Sequence, residues 1–515
     1  MAEPFIPPLR VAVIGSGPSA FYTAETLQKH LGRNVQIDMF ERLPTPFGLV
    51  RGGVAPDHQK IKSVAKVYDR IAQQPGFRFF GNVAFGKHIT HDDLVKRYHT
   101  IVYAVGAQTD RRMDIPGEDL PGSHAATEFV GWYNAHPDYR DLEFDLSQER
   151  VAVIGNGNVA IDVVRMLARS PRELQETDIA DYALEALMNS KVKEIFLLGR
   201  RGPVQAKFTN PEIKELEEMD DANIRIYPSE IELDPMSQAY LLSGQDRNAE
   251  RNYQELKHIA LNPTTDKPKT ITLRFLVAPV EIVGVDRVEA IKLVQTEICD
   301  EGDGYMSPCT TDEHEILTVG LVFRSIGYHG IPLPDVPFDH ARGIIPNDRG
   351  RVVDNAGTPL AGEYVVGWIK RGPTGIIGTN KPDAQETVAR ILEDIEQGNL
   401  LQPDDPDQES IKDLLTSRQI PFVTYADWLI LDQIEQERGA LVGRPRLKFS
   451  RVEDMLEALA EFKGERVQPG SRSNGKARPK ERSPQIAEQP DSQGGPRRNI
   501  DHAFWHNKQS VRQNH

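Results

Sequence analysis

The stretch LRVAVIGSGPSA, residues 9–20, decides the fold. Its opening LRVAVI is an apolar run rich in Val, the pattern of a short strand buried on both faces. Gly15, Gly17 and Ala20 follow as G-x-G-x-x-A. In that spacing the first glycine allows a tight turn, the second lets backbone approach a diphosphate, and a small third residue lets a helix pack close to the strand. FYTAETLQKHL (21–31) has helical spacing, VQIDMF (35–40) predicts a second strand, and Glu41 ends it. Strand, glycine turn, helix, strand and acid make half of a doubly wound α/β unit. The diphosphate of a dinucleotide would sit at the helix N-terminus, where free N–H groups and the dipole favour an anion, and Glu41 would accept hydrogen bonds from ribose hydroxyls.

The pattern occurs again. RVAVIGNGNVA (150–160) nearly repeats the first strand and turn, with Gly155, Asn156, Gly157, Asn158 and Val159 in the turn, and IDVVRMLARS (161–170) reads as its helix. The next strand, EIFLLG (194–199), ends not in an acid but in Arg200 and Arg201. An extra predicted helix, DYALEALMNS (181–190), delays that strand beyond the usual spacing of about 20 residues. A carboxylate at the strand end suits neutral hydroxyls and repels a 2′-phosphate. Two guanidiniums do the reverse, offering charge-assisted and potentially bidentate donors to a dianion. One copy is therefore expected to hold FAD and the other NADP.

Two further strands end in glycine, TIVYAVGA (100–107) and GLVFRSIGY (320–328). A later one, EYVVGWIK (363–370), precedes RGPTGIIGTN and a helix whose Pro382 suits a first turn. The simplest plan inserts the second unit into the first: residues 1–108 and 331–462 form one domain, 109–330 the other. The expected fold class is α/β, two doubly wound dinucleotide-binding domains with the NADP domain inserted into the FAD domain. GPTGII (372–377) suits completion of the first unit, since its glycines let backbone approach a flat ring.

Composition excludes several classes. With Lys+Arg 61 against Asp+Glu 76 the chain carries −15, which argues against nucleic-acid binding. From Lys463 onward there are 11 basic and 5 acidic residues, with abundant Pro, Gly and Ser, so a basic, disordered tail is expected at 463–515, with a short docking motif around Phe504 and Trp505 as the lesser alternative. No apolar run reaches the roughly 20 residues that span a bilayer, and MAEPFIPPLR does not read as a targeting segment. The expected location is cytoplasmic. Two cysteines, Cys299 and Cys309, exclude an iron–sulfur cluster or a four-cysteine metal site carried by this chain alone; no metal site is expected. CDEGDGYMSPC (299–309) reads as a polar loop with two unpaired cysteines.

GSGPSA, ERLPTPFGLVRGGVAPDHQKIK (41–62), GNGNVAIDVVR, LLGRRGPVQAKFT (197–209) and GWIKRGPTGIIGTNKPDA (367–384), in that order, resemble the adrenodoxin reductase-type ferredoxin–NADP reductases over about residues 9–460. The resemblance implies non-covalent FAD, hydride delivery from NADPH, and single-electron transfer to a ferredoxin-type iron–sulfur protein. It implies that Ser19, Glu41, Leu49 and Val83 meet the adenosine and diphosphate end of FAD, and that Trp368, Gly375, Ile376 and Ile377 surround the flavin ring. Asn156 to Val159, Arg200, Arg201 and Glu212 match NADP contacts. His58 and Glu215 match a pair near the nicotinamide, where alignment of the reacting atoms matters more than acid or base chemistry. Two rivals share the two-unit plan: a flavin-dependent monooxygenase, and an FAD/NADPH electron-input subunit of a larger complex.

Overall fold

Two sheets carry the molecule, the first parallel except for an antiparallel edge at 347–353 and the second wholly parallel. The first has seven strands in the order Asn347–Asp348, Arg351–Val353, Pro359–Val365, Thr100–Tyr103, Leu9–Ile14, Val35–Phe40 and Phe77–Phe80. The second has six, all parallel: Ser123–Ala125, Leu321–Arg324, Arg150–Ile154, Glu194–Leu198, Lys269–Arg274 and Ala222–Ile226. The first sheet draws strands from both ends of the chain and the second only from between them, so the second unit is inserted into the first. The computed structural model describes residues 8–262, 265–300, 302 and 306–464; the expected tail, with Phe504 and Trp505, lies outside the described residues apart from Lys463 and Gly464.

The strand pattern explains the layering. Along Leu9–Ile14, Val11 and Val13 enter one buried cluster while Ala12 and Ile14 enter another on the opposite face. Val151 and Val153 against Ala152 and Ile154 divide the same way in the second sheet. Parallel strands covered by helices on both faces need such continuous apolar runs. Helix Pro18–Leu31 starts with Pro at its first position and buries Ala20, Phe21, Ala24 and Leu27. Helix Asn380–Gln397 packs beside it, with Pro382 in its first turn.

The two links between the sheets run antiparallel as a short ribbon, Thr109–Asp110 against Tyr328–His329. A second tie comes from the segment after helix Tyr425–Ala440. Arg444 there donates to the carbonyls of Thr177 (2.8 Å) and Ile179 and pairs with Asp181. Lys448 lies 3.4 Å from Asp178, which also takes Lys62 at 2.6 Å. Burial would raise the Asp178 carboxyl; Lys448 and Lys62 outweigh it and hold that carboxylate well below its ordinary range.

One expectation is overturned. Cys299 and Cys309 are neither unpaired nor in a loop. They lie on the paired strands Ala290–Asp300 and Met306–Thr318 of a three-stranded antiparallel sheet and form a disulfide, with Cα atoms 6.0 Å apart. The turn-rich text between them obscured strands that extend almost to the hairpin tip. Thr296 of this hairpin donates to the Arg200 carbonyl at 2.8 Å, so the sheet braces the arginine loop.

Candidate functional site

Both glycine turns are built alike. Gly15 N–H donates to Phe40 O and Gly155 N–H to Leu198 O, each at 2.8 Å. Gly15 (φ 102°) and Gly155 (φ 125°) occupy backbone that favours glycine. A Cβ on Gly15 would lie 2.5 Å from Ala104 O, and one on Gly155 would run into Ser325 O. Beyond them Gly17 and Gly157 face open space. Each begins a helix with no side-chain cap, so the first N–H groups of Pro18–Leu31 and Asn158–Ala168 are left for a ligand. These two cradles fit the diphosphates of two dinucleotides.

The strand ends differ. Glu41 accepts from Ser16 Oγ (2.7 Å) and from Leu43 N–H (3.1 Å) at the lip of the first turn. In strand register the matching residue of the second unit is Gly199, because Phe40 pairs with Ile14 as Leu198 pairs with Ile154. Arg200 and Arg201 follow directly, one and two residues past the place of the acid. Arg200 is exposed. Arg201 Nε and the nearby Asn156 Nδ2 are buried without a hydrogen-bond partner among the described residues, the mark of donors built for something else.

The segment 367–377 closes over the first turn. Gly367 N–H donates to Asp383 at 2.6 Å, and Ser19 packs against Gly367. Trp368 Nε1 donates to Thr374 O at 3.1 Å, which folds the GPTG turn back, and Ile376 is 62% exposed beside Gly375 and Ile377. Val83 is buried, its N–H donating to Glu41 O at 2.9 Å, and Leu49 is at the start of a short helix that follows Gly48. A cavity of about 450 Å³ opens next to Thr374 and is lined by Arg111, Arg342 and Arg371. Sequence reasoning missed these three arginines; Arg111 and Arg342 lie outside helices, Arg371 ends the short helix Trp368–Arg371, and together they carry no spacing signal.

His58 and Glu215 meet although 157 residues separate them: Nε2 lies 2.7 Å from Oε2. His58 is on the loop before helix Gln59–Lys62; Glu215 is on helix Asn210–Glu217 of the inserted unit. Glu212, one turn earlier, joins them rather than the arginines. The ligating atoms of His58, Glu212 and Glu215 all lie within 4.8 Å of one another, and the place of a cation among them is filled. Arg165 Nη1 sits 2.6 Å from His58 Nε2 and 3.1 Å from Glu212, and bonds to Glu215. Burial would lower the His58 imidazole, but the bond to Glu215 outweighs it and the net shift is upward. Burial would raise Glu215; His58 and Arg165 pull it below its ordinary range. Asp162, beside Arg165 at 2.8 Å, is pushed by burial up to about 7 against the pull of that guanidinium.

Two glycine turns of the dinucleotide-binding kind, with one histidine–carboxylate pair joining the two units, are the features of a two-nucleotide oxidoreductase. Residues 9–217 match the family model described as pyridine nucleotide-disulphide oxidoreductase. NADPH-ferredoxin reductase FprA of Mycobacterium tuberculosis is 45% identical over 460 residues, covering 87% of this chain and 98% of its own. The mitochondrial NADPH:adrenodoxin oxidoreductase of Arabidopsis thaliana is 40% identical over 467 residues, covering 88% and 96%. The solved structure of M. tuberculosis FprA in complex with NADPH superposes with a TM-score of 0.82 at 44% identity, covering 88% and 99%. The chain belongs to the NADPH-ferredoxin reductase family, which includes the adrenodoxin oxidoreductases.

Proposed function

We propose that this protein is an NADPH–ferredoxin reductase that binds FAD in the first unit and NADP(H) in the second. The single observation that carries the reading is the difference between the two strand ends, an acid with satisfied partners in one copy and two arginines in the other, with Arg201 Nε unpartnered among the described residues. Residues 1–108 and 331–462 are assigned to the FAD domain and 109–330 to the NADP domain.

When bound, FAD takes two electrons as hydride from NADPH and releases them singly to a ferredoxin-type iron–sulfur acceptor. The protein's share is binding and alignment. Gly15, Gly17 and Ser19 receive the FAD diphosphate at the helix N-terminus; Glu41, Leu49 and Val83 hold the adenosine end; Trp368, Gly375, Ile376 and Ile377 flank the ring. Gly155 to Val159 receive the NADP diphosphate, and Arg200 and Arg201 the 2′-phosphate. Glu212 remains an NADP contact in this reading and shares its helix with Glu215. The arginines around the cavity at Thr374 suit the same nucleotide's negative charge. His58 and Glu215 set the approach of the nicotinamide, since reacting atoms must be held about 3 to 3.5 Å apart.

Among the described residues no helix is long and apolar enough to cross a membrane; we place the activity in the cytoplasm. The test is anaerobic stopped-flow of the yellow protein with NADPH and, separately, NADH. Fast bleaching of the flavin band by NADPH alone is expected, and equal bleaching by both nucleotides would overturn the assignment of the arginines.

A further inference from the structure

Among the described residues Arg165 stands out for the number of its partners. It is on the helix Asn158–Ala168, its side chain is fully buried, and four carboxylates surround it. Nη2 reaches Asp57 (3.0 Å) and Asp162 (2.8 Å). Nη1 reaches Glu212 (3.1 Å), Glu215 and the edge of His58 (2.6 Å). Asp57 and His58 come from the first unit; the other partners come from the second. Arg169, one turn on, adds a 2.8 Å bond to Asp57.

The geometry has a chemical consequence. Glu215 Oε2 is gripped from two sides, by Arg165 Nη1 and by His58 Nε2. A guanidinium keeps its charge at any working pH, so it holds Glu215 ionised. An ionised Glu215 can only accept and Arg165 can only donate, so His58 Nε2 is held between an acceptor at 2.7 Å and a donor at 2.6 Å. The ring orientation of His58 therefore depends on a residue that need not touch either nucleotide, in the way that an orienting partner fixes the histidine of a catalytic or metal site.

We propose that Arg165 is a positioning residue for hydride transfer, acting with Glu215 to hold the His58 ring in one orientation and through Asp57 to fix the His58 loop against the inserted unit. The inference rests on the assignment of His58 and Glu215 to the nicotinamide site. A lysine in place of Arg165 keeps one charge but is a single point; it can serve the Glu215 side or the Asp57 side, not both.

The test uses the FAD-loaded full chain with Arg165→Lys, Arg165→Met, His58→Gln and the double variant Arg165→Lys/His58→Gln. Flavin reduction by NADPH at saturation is expected to fall about 10- to 100-fold in Arg165→Lys, the scale of a small misplacement, with the NADPH KM within about twofold. In the His58→Gln background the same lysine should cost little more, because both changes act on one unit. The second readout is ¹⁵N NMR of the His58 ring without nucleotide. One set of His58 ring signals is expected in the native chain, and a second set or exchange-broadened signals in Arg165→Lys. Arg165→Met takes the shared buried cation from four carboxylates, leaving Arg169 on Asp57 and His58 on Glu215, and is expected to fold poorly; the lysine variant keeps the test decisive. A native rate and ring spectrum in Arg165→Lys would overturn the inference, as would losses that multiply in the double variant. Native speed in His58→Gln would instead overturn the reading on which it rests, and the inference with it.

Discussion

The two glycine turns differ far less than the two strand ends that serve them. Both turns close with a 2.8 Å bond from the first glycine to the end of the neighbouring strand, and both split their strand residues between two cores. At the strand ends one copy has Glu41 and the other Gly199 followed by two arginines. On the proposed reading the cradle is generic to any dinucleotide, and selection is confined to two or three residues past the second strand. Gly199 is half of that change. It removes the carboxylate that would oppose a phosphate and leaves a place against which the Asn156 amide packs.

The strongest way to break the comparison is to fill the turns. Gly15→Val would drive Cβ into Ala104 O and force a branched residue into positive φ. The expected result is a colourless or insoluble chain. Gly155→Val, with the same clash against Ser325 O, should remain yellow yet bleach only with dithionite and not with NADPH. Absorbance of the purified proteins at the flavin band decides both. If Gly155→Val lost FAD and Gly15→Val kept it, the assignment of the two copies would be reversed.

Next in size is the charge at the second strand end. Arg200→Ala with Arg201→Ala should raise the NADPH KM about a hundredfold, the worth of two charge-assisted contacts, and leave the NADH KM nearly unchanged. Adding Gly199→Glu restores the acid of the first copy. A further gain of about tenfold for NADH over NADPH is expected from repulsion of the 2′-phosphate. Steady-state kinetics with both nucleotides separate the two contributions. No further change on adding the glutamate would show that the arginines alone select.

Acid–base behaviour sharpens the picture of the cluster between the copies. Burial raises Asp162 from the usual carboxylate range to about 7. Its proton is therefore bound more tightly in the folded chain than in the unfolded one. The stability this gives is complete below about 4, the unfolded value, and is lost as pH rises through about 7. Asp162→Asn should remove that part of the slope, so that the change in Tm between pH 5 and pH 8 becomes smaller than in the native chain. An unchanged slope would mean that Arg165 keeps Asp162 ionised throughout.

What the sequence made readable were features whose physics is local. Strand periodicity, glycine turns and a strand end of like charge are written in a few consecutive residues. The His58–Glu215 pair came through family resemblance and not through spacing, because residues so far apart meet only once both units are folded. Arg165 was missed for a different reason. In VVRMLA it resembles a solvated helix residue, yet Val163, Val164, Met166 and Leu167 around it are all buried. A helix apolar on every side is a buried helix, and an arginine inside it must be paired; that was the available signal. Arg444 and Lys448 gave none, since they meet the carbonyls of Thr177 and Ile179 and the carboxylates of Asp178 and Asp181, all of the other unit. The cysteine hairpin was misread because Asp, Gly and Pro predict turns, whereas cross-strand pairing takes Asp300 and Pro308 into the strands.

The smallest expected effect lies in the first turn. Ser19 is buried at the helix start and its carbonyl accepts from Thr23, a bond that does not involve its hydroxyl. The side chain fits against Gly367, where a Cβ would stand 2.5 Å from Ser19 Oγ and 2.8 Å from Ser19 Cβ. Close packing therefore constrains size at this position, and alanine keeps the size that matters. Ser19→Ala should change FAD dissociation by less than about twofold, the scale of a surface-like substitution, whereas Gly367→Ala should cost much more because Ser19 Cβ stays in its way. Combining the two should not rescue Gly367→Ala, for the same reason. A tenfold loss of FAD from Ser19→Ala alone would show that the hydroxyl is itself a ligand contact. The first turn would then select its dinucleotide by a specific donor as well as by shape, and the cradle could no longer be called generic.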